Sequence, residues 1–163
     1  MPTKMYLLIK EVQGEVQEED YKGAIDVLSF SHGIHRETHD NKTELCYHYE
    51  LNLVKYCDIS TPKFYDACEK ATIFPEAIFS VIKVKGDKGK LMDFKLFNAK
   101  VTACRPGGSA QSMEDNFMEE ISFTYEKIEW IYYIPKELRR NEETCIKARA
   151  DKVNFPVKKV RYY

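Results

Sequence analysis

Leu45-Cys46-Tyr47-His48-Tyr49-Glu50-Leu51-Asn52-Leu53 places five large apolar residues on one face of an extended chain and four polar or small ones on the other. Side chains alternate across a strand with period two, so this run predicts a half-buried antiparallel β-strand. Farther along, Phe117 to Tyr133 repeats the pattern: Ile121, Phe123 and Tyr125 lie opposite Ser122, Thr124 and Glu126. The phase then shifts, and Ile128, Trp130 and Tyr132 become the apolar set. One residue of slip near Glu126-Lys127 predicts a bulge or corner. Leu91 to Ala103 flips in the same way, from Phe94 and Leu96 to Phe97, Ala99 and Val101. Long strands that change face suit a small, strongly curled barrel.

The remaining strands are read at Lys4 to Val12, Ala24 to Ile34 and Ala77 to Lys85, the last entering a hairpin turn at Gly86-Asp87-Lys88-Gly89. One helix is expected over 62–71. Ser60-Thr61-Pro62 offers a capping hydroxyl and a proline for the first turn, and Phe64, Cys68 and Ala71 recur at helical spacing. Pro75 then requires an extended start to the next strand. Arg105-Pro106-Gly107-Gly108-Ser109 reads as a loop that Gln111 to Asn116 continues. The fold class is therefore mainly β, a two-sheet antiparallel β-barrel with one lateral α-helix.

With 163 residues, 44% apolar composition, 11 Tyr and 9 Phe, the chain reads as one domain spanning 1–163 with a hydrophobic core. The net charge of -1 conceals an asymmetry. Segment 135–163 carries 9 basic and 4 acidic residues, leaving 16 and 22 for the rest. That basic C-terminal segment lacks the motif support of a nucleic-acid reader, so no nucleic-acid partner is expected. The apolar run Met5 to Leu8 is too short for a signal-peptide core, and nothing approaches a membrane span. Synthesis in the cytoplasm without membrane insertion is expected. Five scattered cysteines, Cys46, Cys57, Cys68, Cys104 and Cys145, suit reduced thiols better than a disulfide framework.

Catalytic chemistry finds little support. His32, His35, His39, Cys46 and His48 fall within seventeen residues. Their spacing fits zinc poorly, and they read as polar residues on the solvent side of two strands and a loop. Cys68 reads as core, and no hydrolase signature surrounds the other thiols. The Pro106-Gly107-Gly108-Ser109 turn lacks P-loop spacing. The carboxylates Glu15, Glu18, Glu19 and Asp20, and again Glu114, Asp115, Glu119 and Glu120, read as solvated charge runs. The expectation is a protein without catalytic residues, metal or cofactor.

Four stretches resemble the hemolysin-coregulated family, the tube subunits of bacterial type VI secretion systems. They are Gly14-Glu15 with Ile25-Asp26-Val27-Leu28-Ser29-Phe30-Ser31-His32-Gly33; Lys55-Tyr56-Cys57-Asp58-Ile59-Ser60-Thr61-Pro62 with Ala67-Cys68; Pro106-Gly107-Gly108-Ser109; and Glu120 to Tyr132. The resemblance implies a homo-hexameric ring whose copies stack into a tube inside a contractile sheath, carry a spike protein, and hold small effector proteins in the lumen. It also implies assembly in the bacterial cytoplasm and secretion, without a signal peptide, into the medium or a target cell.

By the same resemblance Ser31 faces the lumen, and the loop from His32 to Thr43 reaches the adjacent ring through His32, Gly33, His35, Arg36, Glu37, His39, Asp40 and Lys42. Where the family's loop is often glycine-rich, this one carries histidines and charges, which suggests pH-sensitive stacking. The tail Lys136 to Tyr163 departs from the family ending: it covers a rim, meets a partner, or adds a strand. A phage-type tail-tube protein and a monomeric barrel holding a small ligand are the alternative readings.

Overall fold

The computed structural model describes residues 2–40, 42–86, 89–111 and 116–156, with the backbone alone at 42–44. Asp87 and Lys88 of the expected turn, Glu114 and Asp115 of the second acidic run, and the last seven residues of the tail lie outside them. The strands are β1 (Thr3–Leu8), β2 (Ile25–Val27), β3 (Ser29–Ser31), β4 (Ile34–His39), β5 (Lys42–His48), β6 (Leu51–Tyr56), β7 (Ile73–Lys83), β8 (Gly89–Gly107), β9 (Met118–Thr124), β10 (Lys127–Tyr133) and β11 (Cys145–Ala150). One helix, α1 (Thr61–Glu69), lies between β6 and β7.

The long strand β8 organises the molecule. One edge pairs with β7 along the hairpin; the other edge is divided, with β10 along Met92 to Phe97 and β9 along Lys100 to Gly107. The division falls at Asn98, whose φ of 50 is left-handed. Phe94 and Leu96 are buried before it, Ala99 and Val101 after it, so the expected change of face occurs here. The register puts Pro75 of β7 opposite Asn98, between the pairs Phe74 with Ala99 and Glu76 with Phe97. A proline without an N–H thus sits where its partner strand bends. Phe97 turns outward under Lys95 and Lys127, whose ammonium groups stand 5.4 and 4.5 Å from its ring. The second corner, expected near Glu126-Lys127, falls at Tyr125-Glu126 and separates β9 from β10, and the Glu126 N–H donates to Phe97 O at 3.1 Å.

The strand order is β2-β1-β7-β8-β9-β6-β3, with β10 and β11 branching from β8. Its two ends meet through a single residue: Leu28 joins β2 to β3 and donates its N–H to Val54 O of β6 at 2.8 Å. Inside lie Leu7, Ile25, Leu51, Leu53, Phe79, Leu96, Ile121 and Phe123, each at most 1% exposed. α1 closes this core from one side, with the Phe64 ring meeting Phe123 edge-on at 5.9 Å. Each such aromatic burial contributes roughly 1.5–3 kcal/mol. β4 and β5 form a separate two-stranded sheet.

Several expectations are corrected. The alternation of Leu45 to Leu53 spans two strands rather than one: the chain breaks at Tyr49-Glu50 and passes from β4 as partner to β3 and β9. Leu45 and Tyr49 are consequently exposed, and His48 is buried. Ala24 to Ile34 holds β2, β3 and the start of β4, each with a different neighbour. The first strand stops at Leu8, after which the Val12 N–H turns back to Ile9 O. In β10 the buried residues are Ile128 and Ile131, and Tyr132 faces out. The helix ends at Glu69, and Ala71 is left-handed beyond it. The expected capping hydroxyl of Ser60 caps no backbone N–H of the helix: it donates to the Asp58 carboxylate, which also accepts the Ser60 N–H at 2.9 Å. In the tail, β11 is an added strand on β10.

Candidate assembly surfaces

The first surface is the outward face of β3, β6, β9 and the second half of β8. Period two decides it: Phe30, though 40% exposed, lays its ring against Phe79 and Phe94, with centroids at 4.9 and 5.5 Å, so Ser29 and Ser31 turn to the opposite face. A row of small polar groups crosses the strands. Asn52 Nδ2 donates to Ser31 Oγ at 3.3 Å, Ser122 Oγ donates to Asn52 Oδ1 at 2.5 Å, and Thr102 Oγ1 donates to Ser122 O at 3.3 Å. Arg105 and Glu120 flank the row with an ion pair at 3.1 Å. Ser31 is exposed on this face. Thr102 is exposed beside it, Asn52 is half-buried and Ser122 is fully buried.

The second surface is the hairpin β4–β5. The stretch expected as a loop is a paired ladder, Ile34 with His48, His35 with Tyr47 and Arg36 with Cys46, irregular between Arg36 and Thr38 and turning at Asp40 with φ 47. His35, Arg36, Glu37, His39 and Asp40 are exposed. Lys42 pairs its backbone with His39, and its side chain lies outside the described residues.

His32 and Gly33 do not project with the others; they form the hairpin's root. Gly33 O accepts the Tyr49 N–H at 2.8 Å, and a Cβ on Gly33 would come 3.0 Å from the Tyr49 ring. His48, 3% exposed, stacks on Trp130 at 5.9 Å with Nδ1 3.0 Å from Tyr125 OH. His32 stands 5.9 Å from the Tyr125 ring and 5.8 Å from Phe94. Its Nε2 is 3.5 Å from Tyr125 OH, and its Nδ1 is buried without a hydrogen-bond partner among the described residues. Burial pushes the His32 imidazole down to about 4, with His48 acting in the same direction and the Tyr49 backbone opposing. Burial lowers His48 as well. The expectation that these histidines lie on the solvent side therefore fails for His32 and His48 and holds for His35 and His39. The cause is the break at Tyr49, which rotates the end of β5 toward Tyr125, Trp130 and Phe155.

Beneath the start of α1 lies an ion pair that reading Glu119 as part of a solvated charge run missed. Lys55 Nζ meets Glu119 Oε1 at 2.6 Å, and the two side chains are 1% and 0% exposed. Lys55 also donates to Tyr56 O at 2.9 Å and Asp58 Oδ1 at 3.0 Å, while Thr61 and Tyr65 donate to Glu119 at 2.7 and 3.1 Å. Periodicity held the signal. Lys55 continues the Leu51, Leu53 face and Glu119 precedes Ile121 and Phe123 on theirs, so both belong inside. A smaller cluster holds buried Asp93, which accepts from Ser80 at 2.5 Å and Tyr133 at 2.7 Å and pairs with Lys90 at 3.0 Å. Both networks tie elements together, and their groups are occupied with one another.

A strand-built polar face, a projecting hairpin and an interior filled by its own side chains define a single-helix antiparallel β protein whose distinctive features are surfaces. The family model described as type VI secretion system effector, Hcp, matches residues 6–132, and the chain belongs to that family. It is similar to Protein hcp1 of Pseudomonas aeruginosa, 25% identical over 138 residues that cover 81% of this chain and 84% of that protein. Two solved structures share the fold. Hcp1 from Salmonella typhimurium has a TM-score of 0.78 at 21% identity, covering 93% of this chain and 96% of that one. A type VI secretion system effector from Yersinia pestis has a TM-score of 0.73 at 19% identity, covering 90% and 98%.

Proposed function

We propose that this chain, folding as one unit, is a structural tube subunit rather than an enzyme: six copies form a ring, and rings stack into the inner tube that a type VI secretion system expels. The observation that carries the reading is the pairing of family membership with two unlike surfaces on one subunit. A closed ring of identical copies needs heterologous contacts, in which one face of a subunit meets a different face of the next. The polar row, exposed at Ser31 and half-buried at Asn52 with Ser122 buried behind them, lines the lumen, where small effector proteins are held by exchangeable hydrogen bonds. The hairpin, with His35, Arg36, Glu37, His39, Asp40 and Lys42 beyond its root at His32 and Gly33, reaches the next ring. A spike protein at the tip and a contractile sheath outside complete the assembly. The tube is built in the bacterial cytoplasm and leaves by the contraction itself.

Native mass spectrometry tests the reading. A ring of about 115 kDa, six times 19.1 kDa, is expected, and a strict monomer at every concentration overturns it.

A further inference from the structure

The hairpin β4–β5 pairs with no other strand of the described residues. What orients it on the body is its root. There Tyr49 N–H donates to Gly33 O and His48 N–H to Asn154 O, each at 2.8 Å, and the rings of His32 and His48 are packed among Phe94, Tyr125, Trp130 and Phe155. The two imidazoles converge on one phenol, Tyr125 OH, at 3.5 and 3.0 Å. The hydroxyl can donate to one neutral imidazole while accepting the N–H of the other; a protonated ring is a donor at both nitrogens and finds at this phenol an uncharged acceptor only. Among the described residues no carboxylate charge shifts either imidazole. The titratable neighbours are Tyr125 from the β9–β10 corner, Cys46 from β5 and the other histidine. Lys100, Glu126 and Lys152 line the groove behind Tyr125 and Phe155.

We propose that His32 and His48 form a proton-sensitive hinge: neutral, they seat the hairpin on the body, and protonated, they release it. A cation in this box loses water and gains no counter-ion. The Trp130 face offsets part of that for His48, which it stacks at 22°. His32, with a buried nitrogen unpartnered, has less compensation, so its protonation disfavours the seated hairpin more strongly. Protons therefore shift the population toward an unseated hairpin. The inference rests on the hairpin being the contact between rings for its functional meaning, while the hinge is a property of one copy.

Trp130, the chain's single tryptophan, lies against His48 and reports the hinge directly. Its emission, followed from pH 8 to pH 4 on the whole chain, is expected to change with a midpoint below the ordinary histidine value. Over the same interval the Tyr49 and His48 amides should exchange about tenfold or more faster than their intrinsic pH dependence allows. His35→Gln with His39→Gln should leave both curves in place. His32→Leu and His48→Gln, neutral at every pH and checked for folding by circular dichroism at pH 8, should flatten them; His32→Gln and His48→Phe substitute for whichever fails to fold.

A wild-type curve without a transition, a full transition in both neutral variants, or its loss in the His35/His39 variant each overturns the hinge. Because emission and exchange are read on dilute monomer, failure of the wild type to form rings counts against the tube reading and leaves these outcomes interpretable.

Discussion

Lys55 and Glu119 make their ion pair at 2.6 Å inside the protein, one from β6 and one from β9, directly under the first turn of α1. Removing one member strands the other charge where water does not reach, which costs about 3–5 kcal/mol. Lys55→Met is therefore expected to lower unfolding free energy by that amount in urea titrations. Adding Glu119→Leu to it should recover part of the loss, since the uncompensated carboxylate is then gone. A single variant as stable as the wild type would show that the pair is not buried in solution.

Asn98 supplies a second test. Its left-handed backbone at the division of β8 tolerates glycine and resists β-branched residues. Asn98→Val should destabilise by about 1–3 kcal/mol, whereas Asn98→Gly, which loses the bond from Nδ2 to Glu126 at 2.9 Å, should lie within about 1 kcal/mol of the wild type. Thermal melts separate the two.

Stability should rise with pH between about 4 and 6.5 and level off above. The folded His32 holds its proton less tightly than the unfolded chain does, its value being lowered to about 4, so across that interval the unfolded state binds more protons and acid favours it. Denaturant midpoints at pH 7.5 and 4.5 measure the slope, and His32→Leu should reduce it.

At the polar face, Ser31→Gln adds bulk without touching the core and should leave stability within about 0.5 kcal/mol. If this face lines a lumen, the substitution weakens retention of small cargo proteins in pull-downs while ring formation measured by light scattering stays intact. Equal retention by both proteins would remove Ser31 from the cargo surface.

The free thiols offer a chemical check. Burial pushes Cys104 up to about 12 and raises Cys57, leaving little thiolate at pH 8. Both should be among the last of the five cysteines to react with a thiol reagent, as peptide mapping would show.

What could be read from the chain was local and periodic. The change of face in β8 and a corner near Glu126-Lys127 follow from spacing, because core burial imposes it, and the helix from its Ser60-Thr61-Pro62 start with the spacing of Phe64 and Cys68. What could not be read was partnership. Leu45 to Leu53 alternates without interruption, yet its halves join different sheets, since alternation reports a face and says nothing of which strand lies alongside. The buried histidines were hidden for that reason: their aromatic surroundings come from Phe94, Tyr125, Trp130 and Phe155, distant in sequence. Ser31 is an exposed residue by its SFS alternation, but its reading as a lumen residue came from family likeness.

The division of β8 has a mechanical side. Because one unbroken strand supplies an edge to β7, β9 and β10, neither half of the structure can peel away while the other stays whole. A pull along β8 loads the hydrogen bonds of all three neighbours in shear at once, and they must fail together rather than one after another. If the subunit travels with a contracting machine, as proposed, that arrangement makes it yield to sudden force all at once or not at all.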